Sequence, residues 1–156
     1  MKLRPALLAV PAVALALPAS ASALIQTDEG IAGARLNNTK QQVRTALGQP
    51  IRIQNGKNDF GPFTVFHYRG GIRVTFQSGN RVTSVFTNGV GDRTRRGIGV
   101  GSTEAAVRQR VDKVKCETIV GFRSCHTGSF TAGRRVTDFA IRGGRVRSVT
   151  LGFVID

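Results

Sequence analysis

The chain has no Trp, one Tyr and one Met among its 156 residues, and only two Cys and two His. Two Cys leave room for one disulfide and no Cys-rich scaffold. Zinc needs about four ligands, more than two Cys and one neighbouring His supply. Carboxylates are equally few: Asp28, Glu29, Asp59, Asp92, Glu104, Asp112, Glu117, Asp138 and Asp156. No two of them have the spacing of a glycosidase pair or a cation loop. There is no Gly-x-Ser-x-Gly nucleophile motif. Beyond the first residues there is no apolar run of membrane-spanning length, which is about 20 residues. The chain length excludes a large multidomain enzyme, and 40% hydrophobic residues exclude wholesale disorder.

What is abundant is positive charge. Lys and Arg number 23 against 9 Asp and Glu, a net of +14. The charge is spread through both halves, and no Arg run exceeds two residues. Arg93-Thr94-Arg95-Arg96, Arg108 with Arg110, Arg134-Arg135 and the Arg142/Arg145/Arg147 group are the basic patches. Such a chain attracts anionic partners, or it simply carries a solvated surface charge. Nucleic-acid binding would need aromatic stacking platforms between the arginines. The second half offers only Phe122 and Phe130.

Residues 1–23 read as a secretory signal peptide. Lys2 and Arg4 are its basic start, Ala6 to Leu17 its apolar stretch, and Ala21-Ser22-Ala23 a small-residue cleavage site. The expectation is a secreted or extracytoplasmic protein starting near Leu24. In that oxidising compartment Cys116 and Cys125 are expected to form a disulfide. Cys125-His126 could suggest a catalytic dyad, but adjacent strand residues point to opposite faces.

The strongest organisational signal is an internal duplication. Gly33 to Thr39 aligns with Gly97 to Thr103, and Arg81 to Val85 aligns with Arg145 to Val149. Between these ends the register shifts, so that Phe63, Phe66 and His67 match Phe122, Cys125 and His126. The expected units are residues 24–90 and 91–156, with Asn88 to Gly97 as the linker. The expected fold is α+β, two tandem repeats, each a short helix followed by a three- to four-stranded antiparallel meander.

In each unit a capped helix comes first. Asn38 or Thr39 can cap, Thr39 with Gln42 fits a capping box, Val43 and Leu47 share a face, and Gly48 and Pro50 end the helix. Ser102 or Thr103 as cap, Glu104 in the first turn, and the Val107/Val111 pair repeat the plan. Period-two patterns then predict strands at 51–53, 63–69, 72–77 and 81–87. The second set is 115–120, 123–126, 136–142 and 145–154. Gly70-Gly71, Ser78-Gly79-Asn80 and Gly143-Gly144 are the expected hairpin turns. One sheet face should lie under the helices and the other in water. The water face is expected to carry Arg73, Arg81, Arg145 and Arg147 as candidate anion- or partner-binding residues.

These features resemble a family. The Thr-x-x-x-Val of the capped helices, the Gly48-Gln49-Pro50 stop and the meander match across Leu36 to Pro50 with Phe63 to Val85. They match again across Val100 to Val111 with Val136 to Val149. The unit resembles that of the β-lactamase inhibitory protein fold and of its single-copy relatives, the BamE-like outer-membrane assembly lipoproteins. The resemblance implies a helix-plus-sheet unit that binds other proteins through its sheet or loops. This chain departs from the inhibitor in its scarcity of large aromatics, and from the lipoproteins in having no Cys at the mature start. No target-contacting residue is carried over.

His67 and His126 occupy equivalent positions. They are candidate anion- or partner-binding residues, or an acid–base pair of a small secreted hydrolase; copying of one ancestral strand position with its side chain is the preferred reading over the acid–base pair. Gly97-Ile98-Gly99-Val100-Gly101 looks like a phosphate loop, but no Lys-Ser or Lys-Thr follows it. The functional expectation is a secreted non-catalytic protein-binding module, an inhibitor or envelope scaffold, without cofactor, metal or specific nucleic acid. Its partner would be a protein or an anionic envelope component. The alternative is a basic polyanion-binding surface protein.

Overall fold

A computed structural model of the chain describes residues 23–155. All of the expected signal peptide except Ala23 lies outside the described residues.

Both anticipated helices form at their caps. Helix α1 (Lys40–Leu47) follows Thr39, whose side chain accepts from the Gln42 amide while the Gln42 side chain accepts from the Thr39 amide. Gly48, at φ 78°, ends it in a backbone region that L side chains rarely adopt. Helix α2 (Glu104–Arg110) follows Thr103, which accepts from the Ala106 amide. Val43 and Val107 are fully buried, as their helical spacing requires.

The strands are β1 (Ile25–Gln26), β2 (Gly30–Ile31), β3 (Ala34–Arg35), β4 (Arg52–Asn58), β5 (Gly61–His67), β6 (Arg73–Gln77), β7 (Ser84–Thr87), β8 (Lys115–Ile119), β9 (Phe122–Gly128), β10 (Arg135–Arg142) and β11 (Arg145–Phe153). Strands β1–β3 make a small separate sheet that the sequence pattern does not announce. The other eight form one antiparallel sheet in the order β4-β5-β6-β7-β11-β10-β9-β8. The β7–β11 ladder, Ser84 to Thr87 against Val149 to Gly152, is its central seam.

Three sequence expectations are corrected. The strand placed at 51–53 runs on to Asn58, because its ladder to β5 continues although every residue of it is exposed. Gly70-Gly71 is not a tight hairpin; a single 3-10 turn over Arg69–Gly71 joins β5 to β6. Arg81 and Arg145 do not project from the sheet's free face. Their guanidiniums donate to the carbonyls of Asn37 and Gly101, each at 2.9 Å, and so tie down the loops that lead into α1 and α2. The same two loops are held by backbone bonds from Asn37 N to Val82 O and from Gly101 N to Val146 O.

All covering elements lie on one face of the large sheet. Phe66, Val74, Phe76, Val85, Phe139, Val149 and Leu151 point to that side and are buried with Ile25, Ile31, Leu36, Val43 and Val107. The Arg44 guanidinium of α1 lies 4.7 Å from the Phe66 ring centroid. Asp28 of the β1–β2 turn accepts from Thr127 Oγ1 at 2.7 Å and from Thr137 Oγ1 at 2.8 Å. Asp92 is buried. It accepts from Thr87 Oγ1 and, at 3.0 Å, from the Ala23 amide. Among the described residues no helix or second sheet lies over the opposite face, where only Phe130, from the loop after β9, packs onto His126.

Glu104 begins α2 and binds Arg123 of β9 and Arg108 one turn on. Those hydrogen bonds, Arg123 first, hold its carboxyl at about 2 rather than 4.5. A depressed carboxylate contributes stability above its unfolded pKa, and that stability is lost as pH falls through the folded one. E104Q is therefore expected to cost about 1 kcal/mol at pH 7, allowing for solvent screening. In urea unfolding followed from pH 7 to pH 2, the gap from wild type should close between pH 4.5 and pH 2. A gap independent of pH would mean that the carboxylate charge, whether felt by the arginines or by the helix end, is not at work.

Candidate functional site: the open face of the sheet

Strand register determines what the uncovered face presents. Successive cross-strand partners are Arg52, His67, Arg73, Phe86, Thr150, Asp138, His126 and Lys115. Each of the eight strands contributes one residue, so a single file crosses the whole sheet. At about 4.8 Å per strand it is about 34 Å long. Arg73 is in it, as the sequence predicts for the water face, and both histidines, which the internal alignment makes equivalent, are in it too. Arg147 lies beside it, where the β10–β11 register shifts, and its Nε donates to Arg142 O at 3.3 Å.

The two ends of the file differ in charge. At the first end Arg52 and Arg73 flank His67 directly. Arg52 Nη2 lies 3.1 Å from His67 Nε2, which accepts this bond when the ring is neutral. The Arg73 guanidinium stacks on Phe86, 3.8 Å from the ring centroid. Burial, then the charges of Arg52 and Arg73, hold the His67 imidazole below its usual value. A cleft of about 290 Å³ opens here, lined by Arg52, His67, Tyr68, Arg73, Phe86 and Asn88 among others, with no carboxylate.

At the second end Asp138 stands where the first end has Arg73. His126 is 3% exposed, and its Nε2 lies 2.8 Å from Glu117 Oε1. The Phe130 ring covers it, centroids 4.5 Å apart. Burial raises the Asp138 carboxyl above its usual range, against a hydrogen bond from Ser124 and the charge of His126. Next to this end is a groove of about 1440 Å³, lined by Ile119, Phe122, Phe130, Asp138, Arg142 and Arg147 with neighbours. Phe122 is 79% exposed and Val120, at the tip of the same hairpin, 89%. The sequence offers Phe122 and Phe130 only as stacking platforms; their wide exposure at one hairpin and its neighbouring loop shows only in the fold.

No family model matches the chain, and no curated protein matches it. Solved structures similar to it include a DUF4309 family protein from Bacillus subtilis, 21% identical, with 78% of this chain and 82% of that one covered and a TM-score of 0.47. A cysteine-rich secretory protein from Staphylococcus aureus is 11% identical, with 76% and 44% covered and a TM-score of 0.49. An extracellular protein containing a SCP domain from Bacillus anthracis is 9% identical, with 76% and 44% covered and a TM-score of 0.48. The chain thus spans less than half the length of the latter two.

His67 and His126 do not meet. Five strand intervals separate them in the sheet order, about 24 Å at 4.8 Å each. An acid–base pair acting on one bond needs both groups within hydrogen-bonding reach of it. Cys125 and His126 also part company. Cys125 is bonded to Cys116 on the covered side, while His126 faces Glu117 on the open one. Glu104 lies near the two sulfurs, but disulfide sulfurs are not thiolates and its carboxylate is engaged by arginines. Among the described residues no helix is long and apolar enough to cross a membrane.

Proposed function

We propose that the chain is an extracytoplasmic, non-catalytic protein-binding module, and that it holds an acidic protein partner against the open face of its sheet. The observation that carries this reading is the one-sided layering. Helices and the small sheet cover one face, and the other exposes a groove in which Phe122 and Phe130 lie beside Arg142 and Arg147. Aromatic side chains next to arginines are the usual anchors of protein interfaces. A net charge of +14 makes the complementary partner acidic. The distance between the two histidines supports the non-catalytic reading. The Cys116–Cys125 disulfide and the apolar first residues support an extracytoplasmic one.

The same proposal includes two tandem units, 24–90 and 91–156, of the kind found in the β-lactamase inhibitory protein. Its support is the recurrence of bonds at one offset. Lys40 N binds Asn80 O as Glu104 N binds Gly144 O, and Val82 N binds Asn38 O as Val146 N binds Ser102 O.

The test is capture of acidic secreted and envelope proteins from the producing organism, followed by affinity measurement on the purified partner. F122A is expected to weaken binding about tenfold, as loss of a central aromatic anchor does. R81Q, away from the groove, should leave it unchanged. Binding that vanishes entirely in high salt, with F122A equal to wild type, would overturn the reading in favour of a polyanion binder.

A further inference from the structure

The basic end of the file has no role in the groove at the other end. We propose that Arg52, His67 and Arg73 form a binding site for a phosphoryl dianion, with His67 as its proton-linked member. This inference goes beyond the partner reading and does not rest on it.

Geometry comes first. The three side chains are directly opposed on adjacent strands, Arg52 to His67 and His67 to Arg73, so they stand in one line on one face. Adjacent strands place them about 4.8 Å apart at the backbone. The cleft of about 290 Å³ between them takes one small anionic group rather than a large ligand. No Asp or Glu lines it, and neither arginine is paired with a carboxylate among the described residues.

The site is also pre-organised. Stacking on Phe86 fixes the Arg73 guanidinium before any ligand arrives. The neutral His67 ring is held by the bond its Nε2 accepts from Arg52, and in the imidazolium Nε2 instead donates to Gln54 Oε1, 3.2 Å away. A guanidinium presents parallel donors that match phosphoryl oxygens. Three oxygens satisfy two guanidiniums and one imidazolium, whereas a carboxylate has only two to offer. The equivalent position to Arg73 at the other end is Asp138, so the same three-strand arrangement there repels an anion.

Proton linkage follows from the neighbours. The charged groups acting on His67 are Arg52 from β4 and Arg73 from β6, both cationic, and they oppose its protonation. An anion seated between them reverses that field. It must therefore raise the His67 pKa, and protonation of His67 must tighten the anion by the same factor.

The experiment follows both imidazoles by NMR as pH is varied, at constant ionic strength, in chloride and in chloride with inorganic phosphate. Phosphate is expected to raise the His67 midpoint by about one unit, a tenfold coupling, and to leave His126 unmoved. Sulfate keeps its two charges across this range, and calorimetry should show it binding about tenfold tighter at pH 5 than at pH 8. R73Q, at an exposed position, should abolish both effects while the His126 signal reports an intact sheet. A His67 midpoint indifferent to phosphate, or both histidines moving together as in general screening, overturns the proposal. So does full retention of the effect in R73Q.

Discussion

Leu151→Ala is expected to cost about 3–4 kcal/mol, within the range of buried Leu truncations. Leu151 is fully buried on β11, and its opposite number on β7, Val85, is fully buried as well. The seam has only four residue pairs, so each side chain on its covered side carries a large share of the packing between β4–β7 and β8–β11. Relaxation around the lost methyls is limited because the neighbours Phe139 and Val149 are themselves fully buried. Urea unfolding should show one transition at a lower midpoint with the same slope. Val90→Ala, at a residue 72% exposed, should change stability by less than about 0.5 kcal/mol. A loss below about 1 kcal/mol for Leu151→Ala would mean that the seam is not where the halves are held together.

Removing the disulfide is the second large effect. Cys116 and Cys125 face each other across β8 and β9, nine residues apart in sequence. Restricting the unfolded chain with a loop of this size contributes about 2–3 kcal/mol. The C116A/C125A double variant, or the reduced protein, is expected to lose about that much in thermal unfolding. The damage should be local first. The β8–β9 tip carries Ile119, Val120 and Phe122, all exposed and without a core of their own. Amide exchange at Thr118 to Arg123 should accelerate before the rest of the sheet does. Reduction that leaves both stability and exchange unchanged would show that the five paired positions of the ladder suffice.

The helices were legible because their signals are local. Thr39 with Gln42 and Thr103 with Glu104 specify a start wherever the chain goes next. Strand β6 was legible because Ile72, Val74 and Phe76 alternate with Arg73, Thr75 and Gln77. Strands β1 to β3, of two residues each, are too short to carry a period. Strand β4 has none beyond Ile53, and its ladder to β5 makes it a strand. The site was half legible. Alternation places Arg73 on the water face and the internal alignment makes the two histidines equivalent, but only pairing across eight strands puts all three in one file. Arg81 and Arg145 alternate just as well, yet nearby carbonyls claim their guanidiniums. Alternation tells which side of a strand a residue takes; it says nothing of what waits there.

The position of the seam also sets a timetable. Strand β7 pairs with β6 early in synthesis, but its other edge has no partner until β11, the last strand to emerge. Up to that moment Val85 and Thr87 lack the strand that closes over them, and an open edge invites pairing with other chains. Joining residues 84–87 to 149–152 closes a long loop, which slows the step. The chain therefore stays unlocked while it is being made, and it commits to its final form in one late event.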